Sequence, residues 1–298
     1  MIALVALFLL LSFNADCVCA DQKAQNDEHL NFGIYRPSLS NYVDLADIEI
    51  SLKYWLREVT RDLAIQTTET YFFENYQDLS ESFSKGDIDV FVAPPLAVVM
   101  YFDKELLAEG FYNKGNSHEG DALLLLARSK VIEDLGHLAG KKLILPANDK
   151  LAEFFLETVT LETSRKALAD IFPTIVTAKK MNRIILSLFF GHSDVAVVYK
   201  SSYEVMVEMN AQINSRIKIL KSFPVLSKNI GFIRKSYPKR KWVVDNIQNF
   251  TTNPRGRQIL NIFQCSAVGI TSVKVLEPFE QFYQSYLSLK NQQLINKI

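Results

Sequence analysis

The sequence predicts an α/β protein of two lobes, with the second lobe inserted into the first and a hinge between them. Apolar, strand-like runs alternate with helical patterns from residue 30 onward, and this alternation is typical of α/β folds with largely parallel strands. The chain has 298 residues, which is enough to supply two hydrophobic cores. A polar, glycine-containing loop around residue 117 and the proline at 224 predict two crossings between the lobes.

The first lobe contains one βα unit whose signals are especially clear. In Glu74–Val99, an amphipathic helix ends at Gly86, a strand Ile-Asp-Val-Phe-Val follows, and Pro94-Pro95 begins another helix. The elements predicted for this lobe are, in order, a strand at 30–35, a helix at 48–60, a strand at 64–70, a helix at 76–83, a strand at 88–92 and a short helix from 96.

The second lobe repeats the alternation, and the chain then returns to the first lobe. Predicted strands lie at 122–127, 143–145, 175–178, 195–199 and 217–220, with helices at 131–138, 151–168 and 184–190. A strand at 230–233 and helices at 239–250, 255–263 and 278–289 form the C-terminal part. We therefore expect lobe 1 to comprise residues 21–117 and 224–298, and lobe 2 to comprise residues 118–223.

The N-terminal twenty residues have the pattern of a secretory signal peptide. Residues 1–13 are almost uninterruptedly apolar but too short to span a bilayer, and Val18-Cys19-Ala20 suits cleavage before Asp21. We therefore expect a periplasmic protein; a retained N-terminal anchor is the alternative, because no Lys or Arg precedes the apolar run. After cleavage only Cys265 remains, which excludes an intramolecular disulfide.

Composition and motifs argue against several classes of function. The 33 basic and 33 acidic residues balance, which disfavours a nucleic-acid partner. The sequence contains no Walker loop, GxGxxG, GxSxG or HExxH motif, and its four histidines lack metal-ligand spacing. His192, Ser193 and Asp194 are adjacent, whereas the side chains of a catalytic triad must converge in space. We expect no cofactor, no metal and no enzymatic activity.

Three residues at predicted strand ends in the first lobe are candidates for ligand binding. Tyr35 and Arg36 follow the first strand, and ligands of open α/β sheets bind beyond the carboxyl ends of strands. Arg36 could hold a carboxylate or phosphoryl group through two hydrogen bonds. Pro95 begins a helix whose N-terminus could attract an anion. The alternatives are a solvated loop with Tyr35 as a packing residue, and a purely structural proline.

Four segments resemble the phosphate/phosphite/phosphonate-binding (PhnD-like) family of periplasmic substrate-binding proteins. They are Phe32–Pro37, Asn75–Pro95, Ile132–Leu143 and Gly191–Val198, and the resemblance extends over about residues 30–265. It implies the type II periplasmic-binding-protein fold and a small-molecule ligand bound between the lobes. It also implies an ABC permease as the partner.

The departures from this family fall on the ligand-binding side. Where the family has a Ser/Thr-rich turn that holds the oxyanion, this chain has Pro146-Ala-Asn-Asp-Lys, so we expect Asn148 or Asp149 to cap the following helix itself. The family's histidine falls near Asn182, and its acidic residue corresponds to Tyr199. These four positions are the cleft candidates of the second lobe. They suit a neutral or amine-bearing solute, or a cleft without a tight ligand.

The sequence thus predicts an exported solute-binding protein that captures a small ligand for an ABC importer. The alternative is a periplasmic input protein that reports ligand occupancy to a membrane histidine kinase or diguanylate cyclase. In either case we expect a monomer and no nucleic-acid partner.

Overall fold

A computed structural model describes residues 29–36, 50, 53–54, 67–114, 121–225, 229–250, 254, 257 and 266–295. The predicted leader at 1–20, Cys265 and most of the predicted helices at 48–60 and 255–263 lie outside these residues.

Eleven strands and nine α-helices lie within the described part of the chain. The strands are β1 (His29–Tyr35), β2 (Thr67–Phe73), β3 (Val90–Ala93), β4 (Leu107–Lys114), β5 (Asp121–Arg128), β6 (Lys142–Pro146), β7 (Thr174–Ala178), β8 (Val195–Tyr199), β9 (Ile217–Val225), β10 (Ile230–Arg234) and β11 (Ala267–Thr271). The helices are α1 (Tyr76–Lys85), α2 (Pro95–Tyr101), α3 (Lys150–Ser164), α4 (Leu168–Ile171), α5 (Met181–Phe190), α6 (Lys200–Met209), α7 (Gln212–Arg216), α8 (Arg240–Phe250) and α9 (Glu277–Ile295).

The strands form two separate sheets, which confirms the predicted α/β class with two sheets. The first sheet has the order β11-β4-β10-β3-β1-β2, and the second has the order β7-β6-β8-β5-β9. The chain passes from the first sheet to the second after β4 and returns after β9. The predicted lobe boundaries at residues 117 and 224 stay predictions.

The sheets are mixed, whereas the sequence predicted largely parallel strands. β1 runs parallel to β2 and β3, and β6 runs parallel to β7 and β8. The strands next to the two crossings are antiparallel neighbours, β4 with β10 and β5 with β9. The reason is topological: the chain leaves the first sheet at the end of β4 and re-enters it at the start of β10, which pairs with β4. The start of β5 likewise pairs with the end of β9.

Each sheet is covered by its own hydrophobic core. In the second sheet, the run from Leu123 to Ala127 is buried throughout, as expected for a central strand with helices on both faces. In the first sheet, Leu30, Ile34 and Val90 pack together with Ile233. These uninterrupted apolar runs are the same ones that predicted the strands.

The predicted helix at 131–138 is wrong, because only a short 3-10 turn forms at Leu135–His137. Asp134 precedes this turn, and its side chain accepts a hydrogen bond from the Gly136 amide at 2.7 Å. Such a local side-chain-to-backbone bond competes with α-helical hydrogen bonding. The predicted helix at 151–168 is also interrupted, since Arg165 adopts a left-handed conformation with φ of 55° after α3.

The C-terminal helix α9 contacts elements of both sheets. It packs against α2 from the first sheet's side and against α3 from the second. Phe279 is buried in the core of the second sheet, where its ring lies 5.8 Å from that of Phe223. The Tyr286 hydroxyl donates a hydrogen bond to Glu157 of α3 at 2.9 Å, and Lys290 pairs with the same carboxylate. Packing of α9 thus contributes to the second core.

We predict that Phe279→Ala lowers the free energy of unfolding by about 3–5 kcal/mol, because it removes a ring that is only 2% exposed. The matched control is Phe190→Ala, since Phe190 is 64% exposed and its loss should change stability by less than about 1 kcal/mol. Urea denaturation of both variants measures the difference. Equal losses in the two variants would contradict the packing of α9 described above.

Candidate functional site

The candidate site is built from the carboxyl ends of parallel strands in both sheets. In the first sheet, β1 ends at Tyr35 and β3 is followed by Pro94-Pro95. In the second sheet, β6 is followed by the turn that contains Asp149, and β8 ends at Tyr199. This edge of a parallel sheet is where ligands of open α/β folds bind.

Three tyrosine rings form an aromatic cluster on the first sheet's side of the site. The rings of Tyr35 and Tyr76 are stacked with centroids 3.9 Å apart, and those of Tyr76 and Tyr101 with centroids 5.6 Å apart. Asn75 fixes the start of α1, and therefore Tyr76, by accepting a hydrogen bond from the Asp78 amide. We call Tyr35, Tyr76 and Tyr101 the tyrosine cluster.

Arg36 is engaged within the protein. Its guanidinium pairs with the carboxylate of Glu74 at 2.8 Å and lies 5.8 Å from the centre of the Phe72 ring. Both members of the ion pair are exposed. A ligand carboxylate or phosphoryl group would have to compete with Glu74 for this guanidinium.

Pro95 is the first residue of α2, and the N-cap Pro94 offers no side-chain hydrogen bond to the helix. Pro95, Leu96, Ala97 and Val98 are all buried. Val98 is completely buried and serves as a core residue. The first turn of α2 therefore contributes apolar packing.

On the second sheet's side, Asp149 occupies the N-terminus of α3. One carboxylate oxygen accepts a hydrogen bond from the Ala152 amide at 3.1 Å, and the other accepts one from the Tyr199 hydroxyl at 2.8 Å. Asn148 adopts a left-handed conformation with φ of 59°, which directs the chain into the cap. Of the two residues that the sequence offered as a cap, Asp149 fills the position.

Tyr199 is held in its neutral, hydrogen-bond-donating form. The residue is only 3% exposed. Burial is the main reason that the pKa of Tyr199 lies well above its usual value, and the nearby carboxylates of Asp149 and Asp121 raise this pKa further. Tyr199 stands where the family resemblance expects an acidic residue. In this chain its hydroxyl donates a hydrogen bond to Asp149 instead.

A second carboxylate occupies the N-terminus of α6. Asp121, the first residue of β5, accepts hydrogen bonds from the Ser201 amide at 3.0 Å and from the Ser201 hydroxyl at 2.7 Å. Sequence analysis missed this residue, because Asp121 and Ser201 lie far apart in the chain and only the pairing of β5 with β8 brings them together.

The tyrosine cluster and Asp149 are electrostatically coupled, although they belong to different sheets. Burial is the main cause that raises the pKa of Tyr76. Tyr35 raises it next, through its charge and a hydrogen bond, and the charge of Asp149 raises it further. Val99 of α2 packs both against the core that contains Tyr199 and against the core that Tyr76 borders, so the two sides of the candidate site are neighbours.

Asn182, the remaining candidate, is exposed in the first turn of α5. The N-cap of this helix, Lys180, makes no side-chain capping bond. The ligand-binding role of Asn182 stays a prediction.

The residues weighed as a catalytic triad do not converge. His192 is exposed, and the hydroxyl of buried Ser193 lies 2.9 Å from that of Ser187. Asp194 accepts a hydrogen bond from the Lys142 amide and pairs with Arg128.

Over the described residues, no group of three or more His, Cys, Asp or Glu side chains could hold a metal ion. None of the helices described is both long and apolar enough to cross a membrane.

Comparison with solved structures shows the same fold in bacterial binding proteins. The binding protein component of an ABC phosphonate transporter from Pseudomonas aeruginosa superposes with a TM-score of 0.61 at 14% sequence identity, covering 89% of this chain and 88% of that one. PhnD1 from Prochlorococcus marinus in complex with methylphosphonate gives a TM-score of 0.59 at 12% identity, covering 87% of this chain and 98% of that one. A search of curated proteins finds no match.

A family model for the periplasmic substrate-binding protein of phosphonate ABC transporters matches residues 50–274. This match confirms the resemblance seen in the sequence, and the proteins of this family bind solutes for transporters and are not enzymes. Since the model covers most of the 298 residues, the chain belongs to the family of periplasmic substrate-binding proteins of phosphonate ABC transporters.

Proposed function

We propose that this protein captures a small ligand in the cleft between its two sheets and delivers it to an ABC permease, and that this ligand is not held as a phosphoryl oxyanion. The observation that carries the proposal is the carboxylate of Asp149 at the N-terminus of α3. Family membership supports capture and delivery, and the site argues against the family's usual ligand chemistry.

The first backbone amides of an α-helix have no acceptor within the helix. These amides and the positive end of the helix dipole normally attract anions. In α3 the Asp149 carboxylate already accepts from one of them. Its negative charge thus occupies the turn to which the family resemblance assigns the oxyanion. Repulsion between two such charges a few Å apart is about 1–4 kcal/mol at surface-like dielectric constants. This corresponds to a loss of roughly one to three powers of ten in affinity.

The N-terminus of α6 has the same character, because Asp121 occupies it. Two helix N-termini of the second sheet are thus neutralised internally. PhnD1 from Prochlorococcus marinus was solved in complex with methylphosphonate. We expect this chain to bind methylphosphonate weakly or not at all.

Family membership implies a periplasmic location, and we extend this to export by the predicted leader and to action as a monomer. The alternative role as an input protein for a membrane kinase or cyclase gains no support from the described residues or from the compared proteins. Membership of the family is therefore what favours transport over sensing.

Replacing the capping carboxylate should restore oxyanion binding. We predict that Asp149→Ser increases affinity for methylphosphonate by roughly 10- to 1,000-fold over the wild type, because serine still caps α3 but carries no charge. Isothermal titration calorimetry measures both dissociation constants. Asp134→Ser is the matched control, since Asp134 also caps a short helix but is exposed and lies outside the site.

Two results would refute this reading of Asp149. One is tight methylphosphonate binding by the wild type; the other is an equal gain in the Asp149→Ser and Asp134→Ser variants. The second result would mean that any loss of negative charge suffices.

The raised pKa of Tyr199 makes stability sensitive to alkaline pH. Above about pH 10 an unfolded tyrosine loses its proton, whereas folded Tyr199 keeps it, so the free energy of unfolding falls as pH rises. One such residue contributes a slope of up to about 1.4 kcal/mol per pH unit. We predict that Tyr199→Phe has a shallower decline between about pH 10 and 11.5.

Denaturant unfolding at several pH values measures the slopes, with Tyr54→Phe as the exposed control. Parallel declines in the wild type and in Tyr199→Phe would show that Tyr199 is not held neutral beside Asp149.

A further inference from the structure

We infer that the C-terminal helix α9 moves with the second lobe, so that the chain crosses between the lobes a third time, at residues 276–279. The carboxylate of Glu157 on α3 holds α9 in this position. The inference rests on the proposed function in one respect, since capture in the cleft is expected to involve hinge motion between the lobes. It transfers residues 277–295 from the predicted lobe 1 to lobe 2.

The third crossing is defined by two buried anchors that lie close together in the chain. Leu276 is completely buried in a core of the first sheet that also contains Phe91 and Phe232. Phe279 is buried in the core of the second sheet, together with Leu123. Three residue steps separate Leu276 from Phe279, which is at most about 11 Å of extended chain. The chain therefore passes from one core to the other within this segment.

A proline interrupts the hydrogen bonding of this segment. A short 3-10 helix, Val273–Leu276, leads directly into α9, which begins at Glu277. Pro278 lies in the first turn of α9 and has no amide hydrogen, so it cannot donate a hydrogen bond back to the 3-10 helix. Glu277 and Pro278 are both exposed. Bending here therefore breaks fewer hydrogen bonds and less packing than bending within α9.

Beyond its first turn, α9 is held by aromatic contacts with the second lobe. The ring of Phe282 lies 4.6 Å from that of Phe223 on β9, measured between centroids. The ring of Phe154 on α3 lies 4.5 Å from that of Tyr286 and 6.2 Å from that of Tyr283. Aromatic pairs at these separations attract one another beyond the effect of the area they bury. These contacts fix the middle of α9 on α3 and β9.

The carboxylate of Glu157 adds a polar clamp to this packing. One of its oxygens accepts a hydrogen bond from the Tyr286 hydroxyl at 2.9 Å, and the other pairs with the ammonium group of Lys290. Tyr286 and Lys290 lie one turn apart on the same side of α9. Because one partly buried carboxylate holds both residues, the clamp fixes the rotation of α9 as well as its position.

The contacts of α9 with the first lobe are weaker or lack direction. Glu280, in the first turn of α9, pairs with Lys104 at 2.5 Å, and both side chains are partly exposed to water. Such pairs contribute little to stability and exchange readily with solvent. The contact with α2 includes Leu96, which also reaches the core of the second sheet. Apolar packing of this kind permits the small sliding movements of a shear interface.

The arrangement couples α9 to the candidate site. The N-terminus of α3 is capped by Asp149, and Glu157 lies about two turns further along the same helix. A rotation of the second lobe would carry α3 and α9 together, with bending at residues 276–279. The third crossing thus adds a constraint to the two crossings that follow β4 and β9.

The test is pulsed electron paramagnetic resonance on the full chain, with its three native cysteines replaced by serine. Spin labels are attached in pairs at three exposed positions, Ser84→Cys in α1, Glu208→Cys in α6 and Ser288→Cys in α9. We expect a narrow distance distribution between positions 208 and 288. The distributions for 84–208 and for 84–288 should be broader and similar in width, because both pairs span the hinge.

Two variants of α3 test the clamp. Glu157→Ala should broaden the 208–288 distribution, because it frees both Tyr286 and Lys290. Glu153→Ala is the matched control and should leave the width unchanged, since Glu153 pairs with Lys150 within α3. Circular dichroism of each variant confirms that the fold is retained.

The outcomes separate this inference from the proposed function. A narrow 84–288 distribution with a broad 208–288 distribution would show that α9 moves with the first lobe, which overturns the inference and leaves the hinge intact. Equal widths of the 208–288 distribution in the wild type and in Glu157→Ala would overturn the clamp. If the 84–208 distribution is itself narrow, the lobes do not move, and hinge closure fails together with the third crossing.

Discussion

The hydrogen bonds of one carboxylate fix the charge at the N-terminus of α3. Asp149 caps α3 through the Ala152 amide and is held in place by the Tyr199 hydroxyl. Because Tyr199 is buried and stays neutral, it can act only as a donor toward this carboxylate. The protein thereby fills, with its own negative charge, the position where a helix N-terminus would otherwise attract an anion. The proposal that the ligand is not a phosphoryl oxyanion depends on this arrangement.

The fold explains how residues distant in sequence reach this site. The strand ends that border the two crossings between the sheets are paired, β4 with β10 and β5 with β9. Two crossings bordered by paired strand ends are the arrangement in which hinge closure is expected, and the hinge stays a prediction. The helix α9, which packs against elements of both sheets, adds a third contact between the two sides.

The sequence predicted the strands that are uninterrupted apolar runs, as at Leu123–Ala127, but it missed β4, in which polar residues are mixed with apolar ones, and the short edge strand β11. It also predicted that Asn148 or Asp149 caps the helix after β6, and Asp149 does so. The ligand-binding roles of Asp149 and Tyr199 stay predictions. Sequence analysis missed Asp121, whose partner Ser201 lies in α6, the helix that follows β8. It also predicted a helix at 131–138, where Asp134 accepts a hydrogen bond from the Gly136 amide and a short turn forms instead. The spacing of apolar residues along the chain indicates which residues are buried. Capping of a helix by a side chain that is distant in sequence depends on the order of the strands in the sheet, and this order cannot be read from that spacing.

A crystal structure of the wild type soaked in concentrated phosphate tests the central claim most directly. The account predicts that the Asp149 carboxylate stays on the Ala152 amide and the Tyr199 hydroxyl, with no phosphate bound at the start of α3. A phosphate bound to the backbone amides of that helix, with Asp149 rotated away, would contradict it.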